Sequence, residues 1–209
     1  MTGSREEHLV ELVDEDGTPT GSVSVREAHE APGRLHRAFS VLLLDDAGRV
    51  LLQQRAAAKT RFPLRWANSC CGHPAPGQPL PEAANRRLRE ELGVGPVPLT
   101  PCGVYLYRAD DPATGRVEFE YDHVLRGALS TATPLLPDDA EVADVRWMTP
   151  AEVLAELATD PTRYAPWLGG VLRRLIGSGA AAGTSDPAGA SDVAGMSNAA
   201  EVAERSGGR

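Results

Sequence analysis

The sequence predicts a single α/β domain of the α+β kind, a mixed β-sheet sandwiched between helices. Three observations carry that expectation. Short apolar runs bounded by turn residues recur from residue 8 to residue 147, at the length of strands rather than helices. A stretch of helical period, 79–92, interrupts them, and two more helical stretches follow the last run. The chain has 209 residues, enough for one domain with a real core and too few for two large ones. Strands interspersed with a few helices imply a sheet covered on both faces.

Taken in order, the first strand is expected at 8–13. Runs at 38–44 and 50–54, separated by Asp45, Asp46, Ala47 and Gly48, read as a β-hairpin with a short Gly-containing loop. The helix at 79–92 has Pro81 in its first turn, Ala83, Ala84, Leu88 and Leu92 at helical spacing, and Gly93 as its stop. Further strands are expected at 102–107, 117–125 and 142–147, and helices at 150–158 and 163–176. From Gly177 onward the chain is rich in Gly, Ala and Ser with almost nothing large to bury, which predicts a disordered tail. Residues 1–7 are expected as a flexible lead-in and 8–176 as the domain, with no internal repeat.

A net charge of -8 argues against a general nucleic-acid or membrane-surface role, because phosphate backbones and anionic lipids attract basic faces. A local Arg/Lys cluster can still bind a phosphorylated small molecule inside an acidic protein. No apolar run approaches the roughly 18 residues that span a bilayer, and the opening MTGSREEHLVELVDEDG is too acidic and polar for a signal peptide. A cytoplasmic protein is expected. Three cysteines, Cys70, Cys71 and Cys102, cannot all pair internally, so reduced thiols are the default.

Three segments contain groups able to do chemistry. His29 and His36 lie in AHEAPGRLH, seven residues apart across a Pro-Gly break, so only tertiary structure can join them; a lone histidine ordinarily reads as a surface or hydrogen-bonded side chain. In VEFEYDH, Glu118, Glu120 and Asp122 alternate with Val117, Phe119 and Tyr121, which puts the acids on one face of a strand. Isolated, that alternation reads as the solvent face of an antiparallel edge; joined to imidazoles it suits Mn²⁺, Fe²⁺ or Zn²⁺. In WANSCCGHP, Cys71 and His73 flank a glycine, and such a pair can activate a thiolate. Cys70 reads as a buried structural thiol. A zinc finger is excluded, since no second Cys-x-x-Cys or Cys-x-His pair exists.

ANRRLREELGV resembles the end of the Nudix box, G-x5-E-x7-R-E-U-x-E-E-x-G-U with U a bulky aliphatic. In that alignment Gly72 starts the box, Gln78 stands at its first Glu, Arg86 at the Arg, Arg87 at the next Glu, and Glu90, Glu91 and Gly93 at the end. Two acidic positions are therefore missing, which should impair the glutamate-held Mg²⁺ that hydrolases of this kind use. Glu90 and Arg89 read as a solvated helix face, and Glu91 as the functional acid.

LHRAFSVLLL, NSCCGHP, RRLREELG, YRAD and VEFEYDH, in this order, resemble the type 1 isopentenyl-diphosphate isomerases, a Nudix-fold family without hydrolase activity, over about residues 8 to 170. The resemblance implies a Nudix fold and interconversion of isopentenyl and dimethylallyl diphosphate by a 1,3-proton shift through a carbocation-like state, in isoprenoid biosynthesis. It implies His29, His36, His73, Glu118 and Glu120 as ligands of a divalent metal, Mn²⁺ or Mg²⁺ with Zn²⁺ an alternative. Cys71 matches the catalytic thiol, Glu120 the second proton-transfer group, and Tyr107 the phenol that hydrogen-bonds it. Glu91 matches a ligand of a further Mg²⁺ that bridges to the diphosphate, Arg55, Lys59 and Arg87 its basic contacts, and Trp167 an aromatic over the hydrocarbon. The implied partner is a small isoprenoid diphosphate, with no nucleic acid and no membrane, and a monomer is favoured.

Two positions depart from the family: Val25 stands where a lysine is common, with Arg26 beside it, and Gln78 where many relatives have Glu. Either Arg26 substitutes for that lysine or one phosphate contact is lost. A double-bond shift needs a dry pocket with an acid and a base on opposite sides of the carbon chain and aromatic faces in place of nucleophiles. Trp66, Tyr107 and Trp167 are candidates for those faces, although Trp66 and Trp147 also read as core. The rival readings are a Nudix hydrolase and a non-catalytic metal-binding module, neither of which needs a thiol at Cys71.

Overall fold

The computed structural model describes residues 5–179. Among them nine strands form one mixed sheet. The chain opens with a 3-10 turn, Arg5–Glu7, and runs through β1 (Leu9–Val13), β2 (Pro19–Ser24), α1 (Val25–His29), β3 (His36–Leu44), β4 (Val50–Arg55), β5 (Trp66–Ala67) and β6 (Cys70–Gly72). It continues with α2 (Leu80–Leu92), β7 (Thr100–Asp110), β8 (Val117–Ala128), β9 (Val142–Met148), α3 (Pro150–Thr159), a 3-10 turn at Pro161–Arg163, and α4 (Leu168–Gly177).

The centre of the sheet is the parallel pair β3 and β8, in register from His36 opposite Glu120 to Leu44 opposite Ala128. Antiparallel neighbours complete it: β7 on β8, β6 on β3, and β9 on β4. A strand covered on both faces must be apolar on both, which is why β3 reads as the nearly unbroken run AFSVLLL. Val41 and Leu43 point into a core with Leu88 and Leu92 of α2, while Leu42 points into a second core with Leu168, Leu172 and Leu175 of α4. Each leucine so buried contributes about 1.5–3 kcal/mol.

Helix α2 starts behind Pro79, keeps Pro81 in its first turn, and buries Ala83, Ala84, Leu88 and Leu92. Gly93 closes it with φ 67°, where a Cβ would lie 2.7 Å from the Cβ of Leu136. Helix α3 is opened by a reciprocal capping box between Thr149 and Glu152.

Three expectations need correction. The helix expected at 163–176 begins at Leu168, because Ala165 precedes Pro166 and is pushed out of helical geometry. The acids of β8 do not face solvent, as described below. Arg5–Glu7 are not a loose lead-in: Arg5 pairs with Glu141 at 2.5 Å and Glu6 with Arg61 at 2.9 Å. Of the expected tail, residues 177–179 end α4 and its following turn, and the rest lies outside the described residues. No helix among the described residues is long and apolar enough to cross a membrane.

Candidate active site

Register brings the chemistry-bearing residues together. His36, the first residue of β3, lies opposite Glu120 of β8; Tyr107 of β7 lies opposite the same Glu120; Cys71 of β6 lies opposite Ser40 of β3. His29 arrives from the last turn of α1, where its Nδ1 donates to the carbonyl of Val25 at 2.7 Å. His36 Nδ1 donates likewise to the carbonyl of Arg34 at 2.7 Å. Both imidazoles therefore point Nε2 inward, the arrangement in which a carbonyl orients the ring of a metal-binding histidine. The rings of His29, His36 and His73 are 4.7, 4.9 and 5.1 Å apart, centroid to centroid.

Donor atoms of His29, His36, His73 and Glu120 all lie within 4.8 Å of one another. His36 Nε2 is buried without a hydrogen-bond partner, an orphan that a metal would satisfy. Burial, reinforced by the neighbouring imidazoles, pushes His36 well below the ordinary histidine range and His73 down to about 3, so both are neutral, as ligands must be. The donor set fits a borderline divalent cation. Glu118, expected as a fifth ligand, stands beside this group: its Oε2 is 2.9 Å from His29 Nε2 and its Oε1 accepts from Arg61 Nε at 3.1 Å.

Glu118, Glu120 and Asp122 share one face of β8, and that face is buried, at 4%, 8% and 0% exposure. The reason is that β8 is paired on both edges and the imidazoles cover Glu118 and Glu120, so the alternation reports a shared face but not a wet one. Burial, then the charge of Glu118, pushes Glu120 up to about 8. Glu120 accepts from the Tyr107 hydroxyl at 2.6 Å and faces His73 Nε2 at 2.9 Å.

Cys71 is not paired with His73. Its thiol donates to Asn68 Oδ1 at 3.2 Å and lies 3.7 Å from Ser40 Oγ. Burial first, then Asp122, pushes the thiol up to about 12, so it is a neutral S–H rather than the activated thiolate that the Cys-Gly-His spacing suggested. Between the two, Gly72 is required by close approach, since a Cβ there would lie 2.8 Å from Phe39 Cζ. Asn68 also accepts from Trp167 Nε1 at 3.1 Å, so one amide positions both the thiol and the indole. Cys71, Glu120, Tyr107 and Trp167 line one cavity of about 860 Å³.

The same cavity continues to a charged end lined by Lys59, Arg87 and Glu91. Glu91 is buried and accepts from Gln53 Nε2 at 3.0 Å; burial pushes its carboxyl up, but Lys59 and Arg87 outweigh this and hold it below the usual carboxylate range. Glu141, absent from the sequence expectations, joins this cluster through Lys59 and Arg87.

The NUDIX domain family matches residues 34–168. The isopentenyl-diphosphate Delta-isomerase of Nocardia farcinica is 66% identical over 163 residues, 78% of this chain and 91% of that protein. This chain belongs to the isopentenyl-diphosphate Delta-isomerase family, within the Nudix fold. The Streptomyces avermitilis isomerase is 46% identical over 170 residues, covering 81% of this chain and 84% of its own. Among solved structures, a Deinococcus radiodurans protein superposes with a TM-score of 0.64 at 21% identity, covering 80% of this chain and 98% of that one. The MutT protein of Methanosarcina mazei superposes at 0.54 and 15% identity, covering 68% and 93%; both likenesses bear on the fold alone.

Of the two neighbours Val25 and Arg26, only Val25 lines the cavity. Arg26 is exposed and paired with Glu7. Arg55 lines the cavity too, yet its Nε and Nη2 are donated to the carbonyls of Phe62 and Arg61 at 3.1 and 2.8 Å. Arg61, Glu6 and Glu141 escaped sequence reading, and no local pattern marks them: their positions come from loops and turns that meet only in the fold.

Proposed function

We propose that this protein interconverts isopentenyl diphosphate and dimethylallyl diphosphate for isoprenoid biosynthesis, with Cys71 and Glu120 as the proton-transfer pair. The observation that carries this reading is the shared cavity: a thiol and a carboxylate open onto it together with the rings of Tyr107 and Trp167. One of the pair delivers a proton to C4 while the other removes one from C2, so the double bond moves and no net proton is consumed. Asn68 aims the Cys71 thiol, and Tyr107 aims Glu120. The faces of Tyr107 and Trp167 stabilise positive charge on the carbon skeleton by about 0.5–2 kcal/mol and offer it no nucleophile.

Lys59 and Arg87 hold the diphosphate at the other end of the cavity, with Arg55 as a flanking wall, which orients a small hydrocarbon that offers little else to grip. His29, His36, His73 and Glu120 would hold a divalent ion, Mn²⁺ or Mg²⁺ or Zn²⁺, with Glu118, which faces the same His29 Nε2, as a further ligand, and Glu91 would hold the Mg²⁺ that accompanies the diphosphate. When bound, these ions supply fixed positive charge beside Glu120 and beside the phosphates.

The test follows isopentenyl diphosphate incubated with protein and Mg²⁺, reading allylic isomer and released phosphate in the same tube. Isomer without phosphate is expected; phosphate without isomer would convert the reading into a hydrolase. Cys71→Ala should abolish isomerisation while leaving Mn²⁺ uptake intact, because Cys71 is outside the four-donor group.

A further inference from the structure

Arg61 is the charged residue of the imidazole end to which the isomerase reading gives no part. It sits between β4 and β5 on a stretch where Phe62 and Leu64 take φ of 44° and 60°, a backbone region that side-chain-bearing residues rarely adopt. That backbone is held from three sides. Arg55 donates to the carbonyls of Arg61 and Phe62, Phe62 N–H donates to Asp111 Oδ2 at 2.8 Å, and the Phe62 ring stands edge-on to Trp167 at 5.5 Å. The guanidinium is thus delivered to one place. There Nε donates to Glu118 Oε1 at 3.1 Å, and Nη1 donates to Glu6 Oε1 at 2.9 Å, with the Arg61 side chain only 12% exposed.

Glu118 lies on the buried face that also carries Glu120 and Asp122. The carboxylate of Glu118, buried beside those two carboxyl groups, needs a countercharge. Among the described residues, no lysine or other arginine forms an ion pair with any of the three. We propose that Arg61 is a resident counter-cation of the His/Glu centre, which competes with a divalent ion for the charge of Glu118 and thereby weakens metal binding while stabilising the metal-free protein. This rests on reading the centre as a metal site.

The alternative is a strut, in which the guanidinium orients Glu118 to assist the metal. The two accounts differ in sign. Charges on opposite sides of one carboxylate are roughly 6 Å apart, and at an effective dielectric of about 20 the repulsion between a divalent ion and one guanidinium corresponds to about ten-thousandfold in affinity. Water entering the vacated volume screens part of this, so a tightening of about tenfold or more is expected on removing the cation. A strut predicts the reverse, since loss of a group that orients a ligand typically weakens metal affinity by about 10- to 100-fold.

The experiment is calorimetric titration of Mn²⁺ into EDTA-stripped full-length protein, with thermal melts with and without Mn²⁺. Arg61→Gln should bind Mn²⁺ about tenfold or more tightly, melt several degrees lower when stripped, and recover most of that loss on adding Mn²⁺. Glu6→Gln, at a half-buried position of the 3-10 turn, removes the other anion that shares the guanidinium with Glu118; it should bind Mn²⁺ at least about twofold more weakly, and it keeps the test decisive if the stripped Arg61→Gln protein does not fold. Equal or weaker Mn²⁺ binding by Arg61→Gln, or unchanged binding by Glu6→Gln, would overturn the proposal. A wild-type chain that takes up no Mn²⁺ or Zn²⁺ would instead bring down the metal-centre reading beneath it.

Discussion

Replacing Asn68 by alanine should damage stability and catalysis together, by amounts that follow from four hydrogen bonds. Asn68 is fully buried between β5 and β6. Its Oδ1 accepts from Cys71 Sγ and Trp167 Nε1, and its Nδ2 donates to the carbonyls of Val41 and Cys70 at 3.2 and 2.8 Å. Truncation strands the buried indole N–H, at about 1–3 kcal/mol, and removes the remaining bonds at about 1 kcal/mol each. The thiol can turn to Ser40, and the carbonyls keep a second lone pair, so the total is about 3–5 kcal/mol. For a chain of this size that lowers the melting temperature by roughly 6–20 °C. With both the thiol and the Trp167 wall released, a displacement near 1 Å should lower kcat by about 10²-fold. Asn68→Asp keeps Oδ1 but sets an oxygen against two carbonyl oxygens, and should be no more stable than the alanine variant. Urea unfolding followed by tryptophan fluorescence, paired with conversion of labelled isopentenyl diphosphate, reads both effects. An alanine variant within about 1 kcal/mol of wild type and with unaltered kcat would refute the reasoning.

His36→Ala should weaken Mn²⁺ binding by more than roughly 100-fold, judged by calorimetry, because it removes the inward Nε2 that has no other partner. Gly93→Ala should cost about 1–3 kcal/mol in urea unfolding, from φ 67° and the 2.7 Å approach to Leu136. Burial pushes Asp45 and Asp111 up, but hydrogen bonds from neighbouring N–H groups prevail and leave both lowered. A depressed folded pKa gives stability that is present above the unfolded value, near 3.9, and is lost as pH falls through the folded one. Melting temperature should therefore drop on acidification below about pH 4, and Asp111→Asn should flatten that acid limb.

Parts of the fold were legible because their residues satisfy one local rule each. β3 is apolar throughout since both faces are covered, and α2 shows its period, its early proline and its closing glycine. β2, PTGSVS, was not legible: it is a polar edge strand whose existence depends on pairing with β1. The two- and three-residue strands β5 and β6 are likewise set by their partners rather than by composition. At the site, Cys71, the three imidazoles and the acids of β8 were visible as motifs, and alternation correctly put Glu118, Glu120 and Asp122 on one face. Which side of the sheet that face meets was not in the pattern, because period two carries no information about what covers a strand. Arg61 and Glu141 lie in irregular segments, where a side chain's role is fixed by what arrives from elsewhere in the chain.

The departures along α2 bear on why a Nudix fold would support chemistry at carbon. Hydrolysis at phosphorus needs several carboxylates free to gather metal and activate water. Here Gln78, at the first acidic position of the box, is tied to Glu82 and Arg86. Arg87, at the second, turns back on its own helix and pairs with Glu90 and Glu91. Glu91 and Glu141 are left flanked by Lys59 and Arg87, so the carboxylates at this end of the cavity are engaged by cations rather than free to gather several metals or activate a hydroxide. Such an end suits holding a diphosphate more than breaking it. The groups able to exchange protons, Cys71 and Glu120, stand instead among the rings of Tyr107 and Trp167, where the same anchored substrate would present its hydrocarbon.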